Sequence, residues 1–161
     1  MIKKFNLLFI TLFNIGKIKY APGTLASLST CVFFLILINF LSITIIFFIT
    51  LIIFFYSIYA INISYNSFTA SDPQEIVIDE FVGQLIPLLA IPIYETLCPL
   101  PLIYYCLASF LFFRIFDILK PFPINYVDKN TKGSIGIMLD DVIAGFFTVI
   151  VLTILFFYFG G

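Results

Sequence analysis

Two pairs of adjacent acids stand out as residues able to do chemistry. The stretch "DPQEIVIDEFVGQ" holds Asp79 and Glu80, "GSIGIMLDDVIAG" holds Asp140 and Asp141, and "FRIFDILKPFP" between them holds Arg114, Asp117 and Lys120. The chain contains no histidine, which excludes Ser/His triads, phosphohistidine intermediates and metal sites of the His/Cys type. Cys31, Cys98 and Cys106 sit in or beside apolar blocks without ligand or redox spacing, and read as small apolar filler. Acid-base and metal work therefore falls to carboxylates, lysine, tyrosine or water. Carboxylate oxygens without His or Cys suit Mg2+ or Mn2+, and Mg2+ prefers one or two carboxylates plus a substrate phosphate.

Adjacent residues on a helix point about 100° apart, so one member of each acid pair is expected to face the bundle axis. Its neighbour would support it or hold a second ion. Helix dipoles alone favour acids at N-termini by roughly 0.3–1 kcal/mol. Two pairs, Asp117 and Arg114 at one depth in a chain this poor in charge exceed what caps require.

Two loops offer complementary groups. "KIKYAPGTLASL" delivers Gly23, Thr24 and Ser27 to a helix start, where free N–H groups and hydroxyls can bind a phosphate. "DKNTKGSIG" offers Lys129, Lys132, Gly133, Ser134 and Gly136 ahead of the second acid pair, with Asp128 expected outside the clusters.

The elements that must position these groups are membrane helices. Of 161 residues, 62% are hydrophobic and 11% charged, with a mean hydropathy of +1.17; an ordinary soluble domain is roughly 25% charged. Leu25 to Leu41, Ile43 to Ile61, Phe81 to Leu97, Leu100 to Phe116 and Val142 to Phe159 each approach the ~20 residues that cross a bilayer core. The third block is interrupted by Gln84, Pro87, Pro92 and Glu95. The expectation is an all-α, small polytopic membrane helix bundle, a single domain over residues 1–161 with about five transmembrane spans. "MIKKFNLLFITLFNIG" has the outline of a signal peptide without a small-residue cleavage site, and is expected to be retained as a short N-terminal interfacial helix.

On that plan every charged side chain except Glu95 falls on one face, including Asp72, Glu75 and all lysines and arginines. The positive-inside rule makes this face cytoplasmic and puts the C-terminus outside. Such a protein suits work at one membrane surface.

"YAPGTLAS", "IDEFVGQ", "FRIFDILKPFPI" and "GSIGIMLDDVIAG" occur in the order and spacing of phosphatidylglycerophosphatase A, and the chain resembles that family from about Gly16 to its end. The resemblance implies Mg2+-dependent removal of the terminal phosphate of the phospholipid phosphatidylglycerophosphate, giving phosphatidylglycerol, in the bacterial inner membrane. It implies that Asp79, Glu80, Asp140 and Asp141 hold one or two Mg2+. Arg114, Lys120 or Lys132 would neutralise phosphate charge, and Thr24 with the backbone after Gly23 would cradle the phosphate or glycerol. The nucleophile, water or an aspartate, stays open. Some relatives carry histidines ahead of "DEF", where this chain reads "NSFTASDPQEIV"; histidine is then not essential to the mechanism.

Other functions fit less of the chain. A further lipid head-group phosphoryl-transfer enzyme, the CDP-alcohol phosphotransferase, needs a "DGxxAR…GxxxDxxxD" helix that is missing. A small cation transporter needs polar residues through the midplane, where only Gln84 and Glu95 could serve. A non-catalytic scaffold leaves the converging acids without a purpose.

Overall fold

The computed structural model describes residues 2–64 and 75–160, which leaves Asp72 outside the described residues. The regular elements are helices: α1 (Ile2–Ile10), α2 (Pro22–Leu37), α3 (Ile43–Ser64), α4 (Ile78–Leu89), α5 (Ile91–Leu97), α6 (Leu102–Leu119), α7 (Ile124–Asn130) and α8 (Gly133–Gly160), with a single 3-10 turn at Ile15–Lys17.

Local chemistry sets the boundaries. Pro22 opens α2, where its fixed φ is already helical and its missing N–H goes unneeded. Asn39 Nδ2 donates to Leu35 O at 2.6 Å at the end of that helix, and Ser42 Oγ accepts from Ile45 N as α3 begins. Inside the apolar helices, Ser27, Thr30, Thr50, Ser57 and Thr148 each donate to the carbonyl four residues back. Hydroxyls are thereby satisfied without water.

Five spans are somewhat more than the structure shows. Among the described residues α3, α6 and α8 are long and apolar enough to cross a membrane. The first block yields α2, whose 16 residues reach about 24 Å. The third breaks at Ala90 into the 12-residue α4 and the 7-residue α5. Pro92 has no N–H to continue the ladder, and Pro87 has already removed one bond within α4.

α8 packs on α3, α4, α5, α6 and α7, while α4 packs in addition on α2 and α3. Small residues allow close approach between these two central helices: a Cβ on Gly145 would lie 2.5 Å from Gly83 O, and one on Gly83 would lie 2.8 Å from Asp141 O. At the far end Tyr105 Oη donates to Cys98 O at 2.6 Å and accepts from Leu100 N, pinning the α5–α6 turn.

The N-terminal helix docks one face on α3 and on the backbone ahead of α4. Asn6 and Ile10 are buried, Tyr56 Oη of α3 donates to Asn6 Oδ1 at 2.9 Å, and Val77 N donates to Ile10 O just ahead of α4. Gly16 then lies so close to Glu75 that a Cβ would overlap its carbonyl. The N-terminus thus braces the backbone that enters the first acid pair. Cys31 and Cys106 are buried among apolar side chains, and all three cysteines are free.

Candidate active site

The starts of α2, α4 and α8 meet the end of α6 around a cavity of about 760 Å³. α2, α4 and α8 therefore run away from the cavity and α6 runs towards it. Asp79 and Glu80 enter at the first turn of α4, whereas Asp140 and Asp141, expected at the mouth of the last span, lie about two turns inside α8, which already begins at Gly133.

Asp79, Glu80 and Asp141 each bring a carboxylate oxygen within 4.8 Å of the others. Asp79 Oδ1, Glu80 Oε2 and Asp141 Oδ2 are buried without a hydrogen-bond partner. Asp79 and Glu80 sit at the first turn of α4, outside the three long helices. Burial, followed by the charge of Glu80, raises Asp79 well above the usual carboxylate range, and burial raises Glu80 to about 6. The three carboxylates face one another with a single cation, Arg114, acting on Glu80, too little positive charge to let all three ionise together. Hard oxygen donors with unfilled lone pairs, converging on one point, fit a divalent cation such as Mg2+.

Asp140 lines the same cavity, and its Oδ1 is likewise buried without a partner, but its other oxygen is taken. Lys120 Nζ donates to its Oδ2 at 2.7 Å and to Asp128 Oδ1 at 2.6 Å, tying the end of α6 to α7 and α8. Burial works against the charged lysine, but the two carboxylates outweigh it and hold Lys120 above its ordinary range. It is a fixed cation. The expected four-acid set thus becomes three acids together and a fourth bound to lysine.

Arg114 pairs with Asp117 one turn on, and its Nη1 also donates to Ser27 Oγ at 3.5 Å. Gly23 faces this group, and a Cβ there would overlap the Glu80 carboxylate and come within 3.3 Å of Arg114 Nη1. Thr24 and Lys132 line the cavity as expected. Ser27 lies buried behind it, donating to Gly23 O at 3.0 Å, and Ser134 is not in its wall.

Sequence reasoning missed Lys19, Thr131 and Asp128, all of which line the cavity. Asp128 was expected outside the clusters. The prolines of "KPFP" turn the chain back through α7 and return it to Lys120. That reversal was the available signal.

The profile of the phosphatidylglycerophosphatase A family matches residues 8–156. A Haemophilus influenzae protein named phosphatidylglycerophosphatase A is 40% identical over 139 residues, covering 86% of this chain and 81% of its own. A Bacteroides thetaiotaomicron protein named putative phosphatidylinositol-3-phosphatase is 36% identical, covering 88% and 87%. The Escherichia coli phosphatidylglycerophosphatase A is 33% identical, covering 83% and 73%. No solved structure matches. By the reach of that profile along a chain whose cavity is built from the same four sequence blocks, this protein belongs to the phosphatidylglycerophosphatase A family.

Proposed function

We propose that the protein hydrolyses the terminal phosphate monoester of phosphatidylglycerophosphate, giving phosphatidylglycerol and inorganic phosphate, at the cytoplasmic face of the bacterial inner membrane and with Mg2+. The observation that carries this reading is the Asp79–Glu80–Asp141 group, Asp141 buried and the other two partly so, in a cavity that opens among apolar helices. A phosphate on a lipid head group can reach it while the acyl chains stay in the bilayer.

Asp79, Glu80 and Asp141 would hold the ion. Bound there, Mg2+ supplies charge that polarises phosphate oxygens and activates water. Arg114 and Lys120, each fixed by acids, present positive charge to a phosphoryl group whose oxygens gain charge as the bond to glycerol breaks. The first N–H groups of α2, at Gly23 and Thr24, have no partner inside the helix and would donate to phosphate oxygens, with the Thr24 hydroxyl beside them. Restraint matters here, because charge that is already in place costs no reorganisation during reaction.

Five of the eight lysines and arginines line this cavity, which supports a cytoplasmic orientation. Tags near Asp72 and Asn130 should be protected in intact cells and one after Gly161 accessible.

The Bacteroides relative favours a second reading, a 3-phosphorylated inositol lipid as substrate. Both lipids present a phosphate monoester beyond a phosphodiester. Phosphate release by the purified protein from each lipid, with Mg2+ and with chelator, separates them. Release from phosphatidylglycerophosphate, abolished by chelator and restored by Mg2+, is expected. Preference for the inositol lipid would install the second reading, and release insensitive to chelator would remove the metal.

A further inference from the structure

The charged side chains around the cavity divide into four sets. Arg114 is paired with Asp117, Lys120 with Asp128 and Asp140, and the acids Asp79, Glu80 and Asp141 face one another. Lys19, Lys129 and Lys132 also line the cavity, are exposed, and have no ion-pair partner among the described residues. Lys19 comes from the loop before α2, and the other two flank the α7–α8 turn. They therefore reach the cavity from separate helix pairs.

Depth separates these lysines from the acids. Lys132 immediately precedes α8 and Asp141 is nine residues further on, a rise of about 13 Å along the axis. The four-carbon lysine stem is far shorter than that rise, so the Lys132 ammonium cannot come down to the acid group. One phosphate cannot touch both. Two phosphates joined through a glycerol can.

The rim where the lysines stand is also where lipid begins. Tyr20, Leu119 and Phe122 are exposed at 77%, 72% and 76%, and Ile118 is exposed beside the cavity it lines. Apolar side chains at that level place it at the edge of the hydrocarbon, with lysine ammoniums extending into the head-group layer. The acids lie below, inside the bundle.

We propose that Lys19, Lys129 and Lys132 form a subsite for the phosphodiester of the lipid, so that the head group folds inward and delivers its terminal phosphate to Asp79, Glu80 and Asp141. This rests on the head-group phosphatase reading. The subsite selects lipids with a phosphodiester in the head-group layer and a monoester one polyol beyond it. Phosphatidic acid, whose single phosphate is joined directly to diacylglycerol, would stop at the lysines.

The test uses two inhibitors of phosphatidylglycerophosphate hydrolysis in mixed micelles. Phosphatidylglycerol carries the diester alone, and inorganic phosphate mimics the terminal group alone. In the Lys19→Ala/Lys129→Ala/Lys132→Ala protein, KM for the substrate and Ki for phosphatidylglycerol should each rise at least ~10-fold, while Ki for inorganic phosphate stays within about 2-fold. Lys17→Ala removes an exposed charge from the same face outside the cavity wall, and should leave all three constants unchanged. Equal weakening of both inhibitors, an unchanged Ki for phosphatidylglycerol, or the same shift from Lys17→Ala would overturn the subsite. A wild-type protein that releases no phosphate from phosphatidylglycerophosphate would instead overturn the reading beneath it.

Discussion

Lys120 Nζ lies 2.7 Å from Asp140 Oδ2, whereas the next residue, Asp141, turns its carboxylate to Asp79 and Glu80. Neighbours in sequence thereby acquire different work: Asp140 fixes a cation supplied by the chain, and Asp141 completes a group of acids suited to a cation from solution. Asp141→Asn should lower turnover at least ~100-fold, the scale of losing a preorganised electrostatic group, with part of the loss recovered at high Mg2+. Asp140→Asn should cost less and show no recovery with Mg2+, because Lys120 keeps Asp128. Turnover measured against Mg2+ concentration for both proteins decides it. Identical metal responses would put the two aspartates back into one role.

The second carboxylate on Lys120 gives Asp128 an effect that its loop position conceals. Its side chain is about one-third exposed, and surface pairs of this kind contribute little on their own. The pair acts here by restraining Lys120 inside the cavity. Asp128→Asn should reduce kcat by about 3- to 10-fold without changing the thermal midpoint. Glu95→Gln, exposed on α5 away from the cavity, is the silent control.

The sequence showed the acids, because charge is so scarce in this chain, and it put Asp79 and Glu80 at a helix start. It also put Asp140 and Asp141 at the mouth of the last helix, which instead begins at Gly133 and holds them about two turns in. It did not show which carboxylates converge. The 100° rule separates Asp140 from Asp141 correctly, yet Asp79 and Glu80 both join the group. They occupy the first turn of α4, where the longer glutamate reaches round to a point its angle alone would deny it. Asp128 was missed for a different reason: its partner is eight residues back, across a turn that the prolines of "KPFP" signal but helical periodicity does not. Block length likewise hid the break at Ala90, since proline is common in membrane helices and only sometimes divides them.

Convergence depends on how closely α4 and α8 approach. A Cβ on Gly83 would press on Asp141 O and the Phe113 ring, and one on Gly145 would press on Gly83 O. Gly83→Ala and Gly145→Ala should each destabilise the protein by about 1–3 kcal/mol, the usual cost of overpacking. Thermal unfolding in detergent measures it. As the two glycines share one contact, the double variant should lose less than the sum. Strict additivity would mean that the helices do not press together there.

Gly23 offers the sharpest separation of stability from function. Alanine is favoured over glycine within a helix by about 1 kcal/mol, and Gly23 sits in the first turn of α2. Only the Glu80 carboxylate, the far end of a flexible side chain, stands directly in the way of a Cβ. Gly23→Ala should therefore fold with a thermal midpoint equal to or above that of the wild type, while pushing Glu80 out of reach of Asp79 and Asp141. Turnover should fall at least ~100-fold. Glu80→Gln should fall by a similar amount, since it removes the same charge from the same place. If both act through Glu80, the Gly23→Ala/Glu80→Gln protein will be no slower than the slower single variant, because residues acting as a unit lose their effect together. Multiplying losses would instead assign Gly23 a separate contact with substrate, and wild-type turnover in Gly23→Ala would remove Glu80 from the working set.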